Sequence, residues 1–274
     1  MLAAEMVGPM TRSENGCRVP ILVYHHVYLD QAAELQGAVG AKAAGILAER
    51  EFIRQMQFLA GEGWNVVSTS AVVEWITGCS PLPEKAAALH FDNGWLDTRT
   101  VVLPLLRDLK MTATCFPITS GLEAASGGQS SVVTTLTEGR VSKPFMTWHQ
   151  AEDLLEDGWE IGAHTATHPK LGEVHNAQGD AGVLEEVEAS DRMFQQRLGF
   201  LPDHFAYPSG SRNECTDALL AGRYRSLRLW HFEEPIQWSF TDRNTSRLAV
   251  DCQNIDARVS FEDFQRIFRE AQNE

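Results

Sequence analysis

Short apolar runs alternate with segments of helical periodicity along most of the chain. The apolar runs predict buried strands at residues 20–24, 64–68, 85–91, 113–118, 159–163 and 204–207. The periodic segments predict helices at residues 49–61, 70–77, 97–110, 147–157, 180–198, 213–221 and 260–272. Such alternation predicts a mostly parallel α/β sheet covered by helices, and a β/α barrel is the favoured form at this length.

The same pattern predicts how the domain is organised. Residues 1–18 are mixed and polar and predict an N-terminal arm, whereas residues 19–274 contain neither a repeat nor a linker and predict a single domain. Residues 120–143 are rich in Gly, Ser and Thr and predict one long loop. Loops of that length in compact domains are usually functional or mobile.

Polar residues stand where several predicted strands end. These clusters are His25-His26, Asp92-Asn93, His164 with His168, and Tyr207-Pro-Ser-Gly210. In parallel α/β folds the chemistry occurs at the carboxyl ends of the strands, so we expect the clusters to meet there. Their shared placement is a stronger indication of a site than any one cluster.

Each cluster also has a structural interpretation. His164 and His168 are spaced to bind one metal ion, but two surface loop histidines would look the same. Asp92 suits a base or a ligand at the barrel mouth, or a cap for the helix near Asp97, and Asn93 is equally ambiguous. Either His25 or His26 taken alone could be a hydrogen-bonded structural histidine. Trp95 could stack on a sugar ring or pack in the core.

Composition excludes several classes of protein. The formal charge is 23 − 37 = −14, which argues against nucleic-acid binding because phosphate backbones require Lys and Arg. No apolar run is long enough for a transmembrane helix. Five widely spaced cysteines predict neither a disulfide framework nor a cysteine zinc site. The N-terminal residues do not resemble a signal peptide, so a cytoplasmic location is expected.

Four motifs resemble those of one family. Leu89-His-Phe-Asp92-Asn93-Gly94-Trp95, Gly162-Ala-His164-Thr-Ala-Thr-His168-Pro169 and Phe205-Ala-Tyr207-Pro208-Ser209-Gly210 resemble three motifs of polysaccharide deacetylases, the NodB-homology class or carbohydrate esterase family 4. Val23-Tyr24-His25-His26 resembles the N-terminal Tyr-His motif of the branch that contains poly-N-acetylglucosamine deacetylases. The motifs match in order and spacing from about residue 20 to residue 250.

The resemblance implies a distorted (β/α)7 barrel and metal-dependent N-deacetylation. It assigns Asp92 as general base and His25 as general acid, with Asn93, His164 and His168 as ligands of one divalent ion, Zn²⁺ or alternatively Co²⁺, Ni²⁺ or Fe²⁺. It places Ser209, Tyr207 and Trp95 at the oxyanion and substrate.

The implied partner is an N-acetylated amino sugar or a small acylated molecule. Asn93 departs from the family pattern, which has a carboxylate at this position, and an amide brings no charge to an ion. The change fits a natural variant, an engineered trap, or a glycan-binding protein that has lost activity. The sequence leaves oligomeric state open.

Overall fold

Parallel strands occupy the positions of the predicted apolar runs. The computed structural model describes residues 17–231 and 238–272, so nearly all of the predicted arm at residues 1–18 lies outside the described residues. In chain order the strands are β1 (Ile21–Tyr24), β2 (His26–Tyr28), β3 (Ile46–Ala48), β4 (Asn65–Val66), β5 (Ala86–Asn93), β6 (Thr114–Pro117), β7 (Val133–Thr135), β8 (Gly139–Val141), β9 (Glu160–Ile161), β10 (His204–Ala206), β11 (Ser226–Arg228) and β12 (Gln253–Asn254).

Helices connect the strands at or near the predicted positions. They are α1 (Glu49–Gly61), α2 (Thr69–Ile76), α3 (Leu103–Asp108), α4 (Thr119–Ser126), α5 (Trp148–Glu156), α6 (Leu171–Arg197), α7 (Glu214–Ala221) and α8 (Phe261–Gln272). Side chains at Ser68, Thr147 and Asn213 cap α2, α5 and α7 by accepting a hydrogen bond from a backbone N–H in the first turn. No helix among the described residues is long and apolar enough to cross a bilayer.

Seven strands close into a ring. Parallel pairing runs in the order β12-β1-β5-β6-β9, and a parallel bridge between Ala163 and Phe205 continues it to β10 and β11. A second bridge, Arg228 to Val250, joins β11 to the segment that leads into β12. The expected distorted (β/α)7 barrel in one domain is confirmed, and the two single-bridge joints are where the ring is least regular.

Burial explains why this arrangement is stable. All eight residues of β5 are buried, as expected for a central strand covered on both faces. On α1 the buried apolar side chains are Phe52, Met56 and Leu59, which recur at helical spacing and face the barrel. Each such side chain stabilises the fold by about 1.5–3 kcal/mol when fully removed from water.

The prediction of one long loop at residues 120–143 is wrong. This segment contains most of α4 and an antiparallel hairpin formed by β7 and β8, hereafter the β7–β8 hairpin. The small residues that suggested a loop include one that is required for packing. A Cβ on Gly121 would come within 2.4 Å of the Phe145 ring.

Two predicted helices also differ from their expected form. The helix predicted at residues 97–110 divides into a π-helical turn, Thr98–Val102, and α3. Pro104 in the first turn of α3 lacks the N–H that a continuous α-helix needs there. Helix α6 begins at Leu171 rather than at residue 180, and Gly179 interrupts it with a φ of 66°.

Candidate active site

The polar clusters converge on one buried cavity at the carboxyl end of the barrel. The cavity is lined by His25, Asp92, Asn93, Thr135, Leu136, Thr137, His164, His168, Ser209 and Trp230. Its volume of about 10 Å³ matches about one water molecule. A ligand much larger than a water molecule would therefore lie outside this cavity, at its mouth.

Both histidines of the His-x-x-x-His motif present a free imidazole nitrogen. The Nδ1 of His164 lies 2.7 Å from the carbonyl oxygen of Ala206, and the Nδ1 of His168 lies 2.9 Å from that of Thr134. Because a carbonyl can only accept, each Nδ1 carries the hydrogen and each Nε2 keeps its lone pair. Burial lowers the pKa of His164 to about 3 and that of His168 to about 4, so both rings are neutral at pH 7.

The loop between the two histidines is held in an unusual backbone conformation. Thr165 and His168 have φ values of 67° and 65°, which non-glycine residues seldom adopt. The Thr165 hydroxyl accepts from the His168 N–H at 3.0 Å. Glu186 on α6 accepts from both the N–H and the hydroxyl of Thr167, at 3.0 and 2.7 Å. These bonds fix the loop that carries both imidazoles.

Asn93 supplies a third donor atom. The strand end turns sharply here, with φ values of 72° at Asn93 and 80° at Gly94. Glycine is required at position 94, since a Cβ there would come within 2.6 Å of the Pro117 side chain. The Oδ1 of Asn93 is buried and has no hydrogen-bond partner among the described residues. A buried acceptor left unpaired is costly unless a ligand satisfies it.

These donor atoms fit a divalent ion, although none of them carries a negative charge. In the described part of the chain no three His, Cys, Asp or Glu side chains are arranged to hold a metal. Two neutral imidazoles and an amide oxygen remain as the donor set. Imidazole nitrogen suits Zn²⁺ and related first-row ions.

Asp92 is paired with an arginine that the sequence analysis missed. The Nη2 of Arg228 lies 2.6 Å from both carboxylate oxygens, and each side chain is only 2% exposed. Burial alone would raise the pKa of Asp92, but the charge and hydrogen bond of Arg228 together with the charges of His164 and His25 outweigh burial and bring the pKa to about 2. Asp92 is therefore ionised and held in one orientation. The available signal was a single Arg in the apolar run Leu227-Arg228-Leu229-Trp230.

His25 and His26 lie in different surroundings. His25 lines the cavity beside the Trp230 ring, with ring centroids 5.8 Å apart. Its Nδ1 has no hydrogen-bond partner in the described part of the chain, and burial lowers its pKa. His26 stacks on Trp95 and donates from Nδ1 to Asp97 at 2.9 Å, so it is held by structural contacts.

Two predicted substrate contacts are corrected by the structure. Trp95 is fully buried between His26 and Phe145 and does not line the cavity. Tyr207 is also fully buried, and its hydroxyl donates to Asp217 on α7 at 2.8 Å. Both rings were predicted to reach the substrate because of their positions in the motifs, and both instead belong to the hydrophobic core.

Ser209 does reach the cavity, in a turn that brings two strand ends together. It has a φ of 54°. The next residue, Gly210, lies so close to the Trp230 carbonyl that an added Cβ would be 2.0 Å from that oxygen. The glycine thus lets the segment after β10 approach the segment after β11. Trp230 and the hairpin residues Thr135–Thr137 were missed because they carry no motif and reach the cavity only through folding.

The structure defines a parallel α/β barrel with polar side chains gathered at the carboxyl ends of its strands, and sequence comparison gives the family. The sequence model of the family described as polysaccharide deacetylase matches residues 80–223, so this chain belongs to that family. It is 22% identical over 205 residues to YxkH of Bacillus subtilis, covering 75% of this chain and 61% of that protein. It is 30% identical over 112 residues to the poly-β-1,6-N-acetyl-D-glucosamine N-deacetylase of Escherichia coli, covering 40% of this chain and 16% of that enzyme.

The fold has solved counterparts. The deacetylase PplD of Streptococcus pyogenes superposes with a TM-score of 0.73 at 21% identity, over 92% of this chain and 98% of PplD. At that identity the likeness establishes the fold. The chain spans less than two thirds of the curated relatives it matches.

Proposed function

We propose that this protein is a metal-dependent hydrolase that removes N-acetyl groups from an amino-sugar substrate. Family membership supports deacetylation of an acetylated carbohydrate. The observation that carries the finer proposal is the convergence, in one buried cavity, of two neutral imidazoles, an unpaired amide oxygen, an ionised carboxylate and a further histidine.

His164, His168 and Asn93 would hold the ion, with Zn²⁺ the best match to imidazole donors and Co²⁺, Ni²⁺ or Fe²⁺ as alternatives. When bound, such an ion polarises an acyl carbonyl and lowers the pKa of a coordinated water. The backbone carbonyls of Ala206 and Thr134 fix both rings in the tautomer that this role requires.

Asp92 would accept the proton of the attacking water. Its pairing with Arg228 keeps the carboxylate ionised and oriented at the cavity. The lowered pKa also makes Asp92 a weaker base. His25 would donate a proton to the leaving nitrogen, since an amine anion cannot depart. Burial makes the protonated form of His25 a stronger acid. The backbone N–H of Ser209 would stabilise the developing oxyanion.

A second function is favoured by one observation. The neutral Asn93 amide weakens the attraction for a divalent ion, so the same cavity would suit a protein that binds an acetylated glycan without hydrolysing it. In that case Asp92 and His25 would serve as hydrogen-bonding groups for the ligand.

The two functions are separated by measuring metal content and acetate release together. The purified protein is loaded with each candidate ion and assayed on N-acetylglucosamine and its oligomers. His164→Ala combined with His168→Ala should abolish both bound metal and acetate release. Asp92→Ala and His25→Ala should keep the metal and lower kcat by roughly 10²–10⁴-fold.

His149→Ala serves as the matched control, because that side chain is 86% exposed and does not line the cavity. Stoichiometric metal in the double histidine variant would place the ion elsewhere. Metal binding without acetate release from any substrate would favour the non-catalytic function.

A further inference from the structure

One residue of the motif around Asp92 has no part in the proposed mechanism. His90 lies two residues before Asp92 on β5, so both side chains face the interior of the barrel, and His90 lies deeper than the cavity. The His90 side chain is fully buried. Burial, and then the charge of Arg228, hold the pKa of His90 well below its usual value. The ring is therefore neutral at pH 7 and carries a single N–H.

A chain of hydrogen bonds links His90 to a carboxylate at the amino end of the barrel. The Nε2 of His90 lies 2.9 Å from the Thr69 hydroxyl, which lies 2.7 Å from the Thr114 hydroxyl. The Thr114 hydroxyl donates to Glu160 at 3.3 Å, and the Ser70 N–H donates to the same carboxylate at 3.2 Å. Thr114 and Glu160 are the first residues of β6 and β9, so the chain runs from the amino end of the barrel towards the cavity.

The carboxylate sets the direction of this chain. Because a carboxylate oxygen accepts, Thr114 uses its only hydroxyl hydrogen on Glu160 and must accept from Thr69. Thr69 has then used its own hydrogen, so it accepts from the Nε2–H of His90. The Nδ1 of a neutral ring that is protonated at Nε2 keeps its lone pair. His90 therefore presents an acceptor to the barrel interior.

A donor and an acceptor remain unpaired at this level of the barrel. Within the described residues, neither the Nδ1 of His90 nor the Nε of Arg228 has a hydrogen-bond partner, and both atoms are buried. The Nε–H of an arginine can only donate, so the two groups are complementary. Both lie against the Phe116 ring, whose centroid is 5.0 Å from that of the His90 ring and 5.1 Å from the Cζ of Arg228. Buried polar groups are costly unless they are paired.

The spacing of the two groups suits one bridging water molecule. The Nη2 of Arg228 is anchored at Asp92, and successive residues on one face of a strand lie about 6.5–7 Å apart. A water between them would accept from the Nε–H and donate to Nδ1, which gives it two of the two to four partners that buried waters have.

We propose that an internal water molecule joins Arg228 to His90, and that His90 is a positioning residue that orients Asp92 through Arg228. The hydrogen-bonding part of this inference stands by itself. Its effect on turnover rests on the proposed deacetylase function.

The placement of the hydrogens is tested on the native protein as purified. ¹⁵N NMR distinguishes the protonated from the unprotonated nitrogen of an imidazole, and we expect the hydrogen of His90 on Nε2. The Nε–H signal of Arg228 should show an NOE to a long-lived water. A His90 ring protonated at Nδ1, or an Arg228 Nε–H without contact to water, would overturn the inference.

Two variants separate the roles of the two ring nitrogens. The amide oxygen of Asn comes close to the position of Nδ1, whereas the longer Gln side chain reaches the position of Nε2. His90→Asn should thus keep an acceptor for the water, while His90→Gln keeps a contact with Thr69 and loses that acceptor. With the N-acetylglucosamine substrates, His90→Gln should lower kcat about tenfold and change KM less than about twofold, because the base is misoriented. His90→Asn should retain roughly half or more of the native kcat.

His204→Gln is the matched control, because His204 is also buried in the barrel and is held between two hydroxyls. Its Nε2 lies 2.9 Å from the Ser70 Oγ and its Nδ1 lies 2.8 Å from the Ser226 Oγ, and within the described part of the chain it makes no hydrogen bond to Arg228. Urea unfolding should show a loss of stability in His204→Gln with kcat unchanged. Equal kcat in His90→Gln and His90→Asn, or an equal loss in His204→Gln, would contradict a positioning role.

Failure of the proposed function would look different. If no form of the protein releases acetate, the Arg228 Nε–H signal is compared among the three variants. It should shift in His90→Gln and stay near its native position in His90→Asn and His204→Gln. A signal that stays in place in all three would refute the link between His90 and Arg228. If a variant does not fold, the His90 tautomer and the water contact of the native protein decide the inference.

Discussion

Asn93 determines how strongly the site can attract a divalent ion. Its Oδ1 is buried and has no hydrogen-bond partner in the part of the chain that the structure describes, and the neighbouring Asp92 is already neutralised by Arg228. An added carboxylate at position 93 would therefore face two neutral imidazoles rather than an unpaired negative charge. Charge interactions strengthen as the local dielectric falls, so the gain should be large in this buried site.

We expect Asn93→Asp to tighten Zn²⁺ binding by about tenfold or more, equivalent to about 1.4 kcal/mol. Competition titration of metal-free protein against a chelator measures this without reference to turnover. Asn65→Asp, at an exposed position on β4, adds the same charge outside the cavity and should leave affinity unchanged. Equal or weaker binding by Asn93→Asp would show that residue 93 is not a metal ligand.

The buried pair of Arg228 and Asp92 is a second feature at residue scale. Both side chains are 2% exposed, so removing one leaves an uncompensated charge in the barrel. Arg228→Met should lower the free energy of unfolding by about 3–5 kcal/mol. Urea unfolding at pH 7 measures the change.

Asp92→Asn combined with Arg228→Met removes both charges and gives the matching control. We expect the double variant to be more stable than Arg228→Met alone, because no charge remains buried without a partner. Additive losses in the double variant would mean that the two side chains are not energetically coupled.

At the scale of elements, the β7–β8 hairpin is the part of the barrel mouth that the sequence analysis mistook for a loop. It contributes Thr135–Thr137 to the cavity and the Thr134 carbonyl to His168. Glu138, in the turn of the hairpin, pairs with Lys143 just after β8 and reaches the barrel through His26, whose Nε2 lies 3.5 Å from the carboxylate. That distance is long for a hydrogen bond, so the His26 contact is chiefly electrostatic.

The interaction between Glu138 and His26 should depend on pH. Burial opposes the charged imidazole, but the charge of Asp97 and the contacts with Asp97 and Glu138 outweigh burial and raise the pKa of His26, while Lys143 opposes this rise. A raised folded-state pKa gives stabilisation that is complete below about pH 6.5, the unfolded value. It is lost as pH rises through the folded-state pKa.

Glu138→Gln should lower the pKa of His26, measured by NMR titration. It should also flatten the fall in unfolding free energy above pH 6.5. Glu152→Gln removes a carboxylate from the exposed pair with His149 and is the control, with no effect expected on either curve. An unaltered His26 titration in Glu138→Gln would show that the hairpin does not contribute to the raised pKa of His26.

At the scale of the whole molecule, the site exists only because the ring closes. The cavity is lined by residues as far apart in sequence as His25 and Trp230. The bridge between Arg228 and Val250 joins β11 to the segment before β12, and β12 pairs with β1. This closure brings Arg228 to Asp92 and Trp230 to His25. The general base and general acid assigned by resemblance are thus both oriented from the last third of the chain.

The alternation of strands and helices, the barrel and the polar residues at the strand ends could all be predicted from the sequence. These follow from local signals: apolar runs, helical periodicity, caps such as Thr147, and motif spacing around His164 and His168. Such signals depend on neighbours within a few residues, so they can be read without the fold.

Which of these residues share a cavity, and what surrounds them, depends on contacts between distant parts of the chain. Arg228 and the β7–β8 hairpin carry no local signal for their roles, because their partners are far away in sequence. Trp95 and Tyr207 were predicted to face substrate and instead pack inside. A side chain's direction at a strand end depends on the turn that follows and on what it packs against, and both are set by contacts across the barrel rather than along the chain.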